Sequence, residues 1–268
     1  SLNPIAKAFA ANKKSTLLNF SAVSASTDDT LIVPKGYRAT PLVSWGDPLF
    51  ADAPEFDSSG KQDSKAQLRQ FGDNNDGMSL FPISQDRAVI AVNNEYTNYE
   101  YLFDHGGKSM TADDVAKSQA AHGVTVFEIT KSGSQWQLDK KGTRNRRITA
   151  NTEMRLTGPA AGHSLMKTKL DPSGTKPFGT FANCANGQTP WGTYLTCEEN
   201  FDGYFGSVKS VDVSDDHKRY GISPVQSEYQ WHNNDERFDI AIHPNEPHRF
   251  GWVVEIDPHN PVSTPLKR

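Results

Sequence analysis

An all-β fold with small helical insertions is what this sequence specifies, and three observations say so. Hydrophobic residues make up only 35% of the 268 residues, against 20 glycines and 16 prolines, a balance that suits short strands joined by turns better than long packed helices. Runs of β-branched and aromatic residues recur at short spacing along the chain. A sustained helical period of apolar residues is confined to brief stretches.

Residues 1–30 are polar and small, with one apolar-periodic stretch over 6–18, and read as an amino-terminal arm or short helix. Residues 31–268 form the body. Strand-like runs bounded by turn residues fall at 30–33, 37–43, 78–83, 88–92, 124–130, 136–139, 179–183, 193–197 and 250–256. The turn Lys131-Ser132-Gly133-Ser134 joins two of them into an antiparallel hairpin. One helix stands out at 111–122, where Thr111 caps the amides and Asp114 sits three residues on in the favourable first turn. Residues 207–237 are rich in Asp, Ser, His and Asn and read as a long surface excursion rather than core. Repeated meanders of this kind suit a β-propeller, a sandwich or a barrel, and pattern alone does not choose among them.

The formal charge is -4 and the basic residues are scattered, so no electrostatic footprint for nucleic acid is present. No apolar run reaches membrane-spanning length, and Ser1-Leu2-Asn3-Pro4 reads as a processed or trimmed start. Phosphate-loop, dinucleotide and nucleophile-elbow motifs are absent.

The densest chemistry lies between Asn183 and Asn200, where Cys184, Cys197, Glu198 and Glu199 mix a soft thiolate donor with hard carboxylates. Thiolate suits iron or zinc, and oxygen donors suit calcium. Strand alternation puts Cys197 and Glu199 on one face and Glu198 on the other, unless the strand ends there. A Cys184–Cys197 disulfide with two exposed glutamates is the alternative. Phe71-Gly72-Asp73-Asn74-Asn75-Asp76-Gly77-Met78 is oxygen-rich and punctuated by glycine, as in a calcium loop or an Asn/Asp-Gly turn, but Gly72 and Ile83 break the EF-hand template. Asn93-Asn94-Glu95 follows an apolar strand, where it either presents oxygen ligands or makes a polar turn. Arg155, beside the small-residue loop Gly158-Pro159-Ala160-Ala161-Gly162-His163, is either a phosphate clamp or a surface charge, and His163 either a ligand or a hydrogen-bonded structural residue.

Taken together, Asn183-Cys184-Ala185-Asn186-Gly187, Thr189-Pro190-Trp191-Gly192-Thr193 and Cys197-Glu198-Glu199-Asn200 resemble the signature of the PhoX-type secreted alkaline phosphatases. Asn75-Asp76-Gly77-Met78, Asn94-Glu95-Tyr96-Thr97, the glycine-rich loop at 158–162 and the run at 250–258 add to the resemblance in consistent order from about Tyr37 onward. The resemblance implies a β-propeller with its site near the central axis, twin-arginine export to the periplasm or beyond, and hydrolysis of small phosphomonoesters by a monomer holding ferric iron (Fe3+) and calcium (Ca2+). It makes Cys184 the thiolate ligand to iron, with Cys197 supporting. Glu198 and Glu199 are then calcium or bridging carboxylates, and Asn94, Glu95 and Asp76 oxygen ligands. The family's enzymes run longer, so the same resemblance implies a propeller continuing beyond Arg268, an iron-binding glutamate in that continuation, and little activity from residues 1–268 alone. The rival readings are a non-catalytic, calcium-stabilised secreted propeller acting as a binding module and a calcium-dependent, lactonase-like propeller.

Overall fold

The structure, a computed structural model, describes residues 20–268. The apolar stretch at 6–18 lies outside the described residues. The chain divides into two compact units between Leu42 and Val43.

In the first unit the described residues carry turns but no strand. The strands expected at 30–33 and 37–43 are not formed. Leu31 is 74% exposed and Tyr37 57%, so these apolar residues have no buried face to pair over. Phe20 instead meets Tyr37 edge-on with ring centroids 5.6 Å apart.

The second unit holds two sheets of five strands each. In the first, β1 (Asn75–Ser84), β2 (Arg87–Asn94) and β3 (Gly123–Ser132) form an antiparallel meander. The far edge of β3 carries both β4 (Gln135–Leu138), through the expected hairpin, and β5 (Arg146–Ile148). The second sheet has β6 (Arg155–Leu156) at one edge and β7 (Asn183–Gln188) at the other. Between them lie β8 (Tyr194–Glu198), β9 (Val253–Ile256) and β10 (Leu266–Lys267), in the order β6-β10-β9-β8-β7. The expected strand at 179–183 is instead a turn into β7, because Gly179 and Ala182 have φ of 83° and 52°. Left-handed backbone cannot continue a ladder. Sheet-rich architecture is therefore as expected, and no closed barrel forms among the described residues.

The sheets share a core in which Phe81, Val89, Ala91, Val124 and Val126 meet Met154, Tyr194, Val254 and Ile256. Short helices fill the connections: α1 (Ser64–Gln67), α2 (Tyr99–Leu102), α3 (Ala112–Ala121) and α4 (Asp215–Tyr220). None is long and apolar enough to cross a membrane. Helix α3, inserted between β2 and β3, has the capping box its sequence predicts: the Thr111 side chain accepts from Asp114 N, and Asp114 returns a carboxylate to Thr111 N.

The segment 207–237 corrects the sequence reading. It supplies Ile222 and Trp231 to a second core with Phe181, Tyr204, Phe205, Phe238 and Phe250. Trp231 is fully buried, and its indole N–H donates to Ser118 Oγ at 3.0 Å. A polar average concealed a few large rings, and these anchor the segment.

Candidate metal centre

Two adjacent β-bulges build the site. In β1, Asn75 faces Asn94 and Met78 faces Val92, so Asp76 and Gly77 together oppose the single residue Asn93. In β7, Asn183 faces Glu198 and Asn186 faces Thr196, so Cys184 and Ala185 together oppose Cys197. An extra residue breaks the alternation of faces and re-aims a side chain. The bulges sit side by side where the two sheets adjoin, because Asn186 Nδ2 donates to Met78 O at 3.0 Å and to Ser79 Oγ at 2.7 Å.

Asn93 and Tyr194, both fully buried, lock the bulges together. Asn93 Nδ2 donates to Cys184 O at 2.6 Å, while the Tyr194 hydroxyl is shared between Asn93 Oδ1 at 2.8 Å and Gly77 O at 2.9 Å. Gly77 is required by this approach, since a Cβ there would lie 2.7 Å from Cys184 O.

The result is a convergence of Asp76, Glu95 and Cys184, whose ligand atoms all lie within 4.8 Å of one another. Glu199 joins them through a backbone relay: Ala182 N donates to Glu95 O at 3.1 Å, and Glu199 N donates to Ala182 O at 2.8 Å. The carboxylates of Asp76 and Glu199 neighbour the Cys184 thiol, and chiefly their interaction with it pushes its pKa up to about 12. Burial raises Glu95, and the neighbouring Asp76 and Glu199 raise it further. A thiol and three carboxyl groups, with no cationic side chain among the causes of these shifts, are costly to ionise together unless a cation joins them.

The other expected ligands stand elsewhere. Glu198 ends β8 on its buried face, where its carboxylate lies 2.7 Å from Lys267 Nζ and its Oε2 accepts from Trp252 N. Asn94 is buried behind the cluster, accepting from Thr125 and Arg147 and donating to Asn75 Oδ1 at 2.8 Å. Arg155 lies on β6, at the opposite edge of the second sheet from Cys184. Four strand spacings separate those edges, roughly 19 Å at about 4.8 Å each, so Arg155 does not reach the cluster. It lines a separate cavity with Thr193, Glu255 and Asp257. His163 Nδ1 accepts from Leu165 N at 3.3 Å and caps a turn. Both cysteines are free, which removes the Cys184–Cys197 disulfide.

Beside Glu95 opens a cavity of about 410 Å³ lined by Tyr96, Asn200, Asp202, Glu228 and Tyr229. The sequence placed Asn93 only in a polar cluster of ligands or turn residues, and gave no role to Tyr194 or to the lining residues Asp202, Glu228 and Tyr229. The only signal for Asn93 was a polar pair directly after an apolar strand.

The family model described as alkaline phosphatase PhoX matches residues 18–268. The chain belongs to the PhoX alkaline phosphatase family. A solved structure of Pseudomonas fluorescens PhoX in complex with vanadate, a transition state analogue, is similar to it with a TM-score of 0.90 and 54% sequence identity. The match covers 93% of this chain and 43% of that one, so the chain spans less than half the length of that PhoX relative. No curated protein matches the chain. The bulged Asp76 and Cys184 therefore belong to a fold shared with a PhoX protein that has been solved with vanadate, a transition state analogue.

Proposed function

We propose that the protein is a metal-dependent phosphomonoesterase whose centre is built on Cys184, Asp76, Glu95 and Glu199, with ferric iron and calcium as the cations. The observation that carries this reading is the convergence of one thiol and three carboxyl groups at paired bulges in a PhoX-family chain. Cys184 is the soft donor for iron, and the carboxylates are the hard donors for calcium. Bound cations supply charge stabilisation for the attacking and leaving oxygens of an ester and lower the pKa of bound water.

The chain's own residues bind and orient. Among the described residues no lysine or arginine lines the cavity beside Glu95, so a phosphate dianion entering it relies on cations held by the acidic groups rather than on a side-chain clamp. Tyr96 and Tyr229 line the same space and leave room for a leaving group. Asn93 and Tyr194 hold both bulges and thereby the spacing between Asp76 and Cys184.

The family resemblance also supports reading the two sheets as blades of a β-propeller and placing the protein in the periplasm or outside the cell as a monomer. The binding-module rival loses the disulfide that would have favoured it, since Cys184 is free and aimed at the carboxylates.

Hydrolysis of p-nitrophenyl phosphate by the full natural protein, with and without chelator and beside Cys184→Ala, tests the proposal. Activity is expected to fall by at least about tenfold on chelation and in the variant, with iron lost from the variant by elemental analysis. Undiminished, chelator-resistant hydrolysis overturns it.

A further inference from the structure

Behind the acidic cluster stands one arginine that the reading above leaves without a task. Arg147 lies on β5 opposite Thr125 of β3. Alternation along β5 sends its neighbour Arg146 to the carbonyls of Asp257, Pro261 and Ser263, whereas Arg147 turns toward helix α3. Its Nη2 donates to Ala120 O at 2.8 Å and His122 O at 2.9 Å, and its Nη1 donates to Thr125 Oγ1 and Asn94 Oδ1. No carboxylate lies within ion-pair distance of it among the described residues, and desolvation alone pulls its pKa down to about 9. A desolvated guanidinium held only by neutral acceptors is costly to keep, and a planar fork that engages four acceptors at once is something lysine cannot reproduce.

What the fork holds leads directly to the site. Asn94 accepts from Arg147 and from Thr125 Oγ1 at 2.6 Å, and passes the constraint on by donating to Asn75 Oδ1 at 2.8 Å. Asn75 and Asn94 are register partners at the mouth of the β1 bulge. The next residue along the chain is Asp76 in one case and Glu95 in the other. Gly72 leaves the room this requires, since a Cβ there would lie 2.4 Å from Asn94 Cγ.

We infer that Arg147 is a positioning residue for the metal centre, acting through Asn94 and Asn75 to hold Asp76 and Glu95 at the spacing a shared cation needs. The inference rests on the proposed cation centre. Outer partners that orient ligands typically account for about 10–100-fold in metal affinity.

The test titrates Ca2+ into the full natural protein, Arg147→Met, Arg147→Lys and Asn75→Ala by calorimetry, with far-ultraviolet circular dichroism checking each fold. In parallel, Co2+ loading reads the thiolate charge-transfer band of Cys184. Arg147→Met is expected to weaken Ca2+ binding by about 10–100-fold and to shift the band, which an arginine that merely stabilised the fold would leave in place. Arg147→Lys is expected to fail to restore either. Asn75→Ala, at an exposed position, is expected to weaken Ca2+ binding in the same direction but less. It decides the matter should Arg147→Met not fold. Wild-type affinity and band in both Arg147→Met and Asn75→Ala overturn the inference alone. A wild-type protein that binds neither cation overturns the proposed centre and the inference with it.

Discussion

Single atoms decide which of the acidic residues can serve a cation. Glu198 and Glu199 are adjacent and chemically identical, yet Lys267 holds the first in a buried ion pair while the second neighbours the Cys184 thiol. Asn94 and Glu95 divide in the same way, one buried in an amide network and one facing the cavity. The Tyr194 hydroxyl shows how much rests on one group, since it touches both bulges. Tyr194→Phe leaves the buried Asn93 Oδ1 without its donor, which should cost about 1–3 kcal/mol in urea unfolding. The same variant should bind Ca2+ more weakly, because Gly77 and Cys184 lose their common tie. Unchanged Ca2+ affinity in a destabilised protein would show that the lock serves the fold alone.

At the scale of elements, the site depends on irregularity in otherwise regular strands. β1 and β2 pair residue by residue from Met78 to Pro82; the register slips between Pro82 and Ser84 and again at the Asn75–Met78 end. That slip places Asp76 where ideal alternation would not. Helix α3 serves the site at one remove, since its last carbonyls receive Arg147, so its stability should be felt there. Thr111→Ala removes the side-chain half of the capping box, the bond from Asp114 N to Thr111 Oγ1, and should lower global stability by about 1 kcal/mol, measured as a reduced midpoint in chemical denaturation with unchanged m. How much of each element was legible follows from the same physics. The hairpin through Gly133 and the helix capped by Thr111 are local patterns and were readable. The bulges were not, because a bulge is defined by the partner strand it faces.

Across the whole unit, a buried histidine ties stability to pH. His122 is enclosed by Tyr204, Tyr229 and Trp231. Its Nδ1 faces Ser118 O at 2.6 Å, and a carbonyl can only accept, so that nitrogen carries the proton and Nε2 receives the Tyr204 hydroxyl at 3.0 Å. Burial pushes its pKa down from 6.5 to about 3. Between these values the unfolded chain binds a proton that the folded chain does not, so stability is full above about pH 6.5 and falls as pH drops toward 3. The expected slope reaches about 1.4 kcal/mol per pH unit. Urea unfolding at pH 7, 6 and 5 should show it in the natural protein and not in His122→Gln, and parallel curves for the two would refute it.

Composition, turn residues and short β-branched runs determined by themselves that the chain is sheet-rich, and residue type with the family resemblance put Cys184, Asp76, Glu95 and Glu199 among the candidate ligands, beside Glu198 and Asn94. Those properties are local, since propensity and donor chemistry travel with the residue. Only the tertiary structure decided that these four meet while Glu198, Asn94 and Arg155 do not, and that 207–237 carries core rings. Each of those outcomes depends on pairing between strands or segments far apart in the chain. Asn93 meets Cys184 across 91 positions and Tyr194 meets Gly77 across 117, and no local pattern in a sequence encodes a contact at that separation.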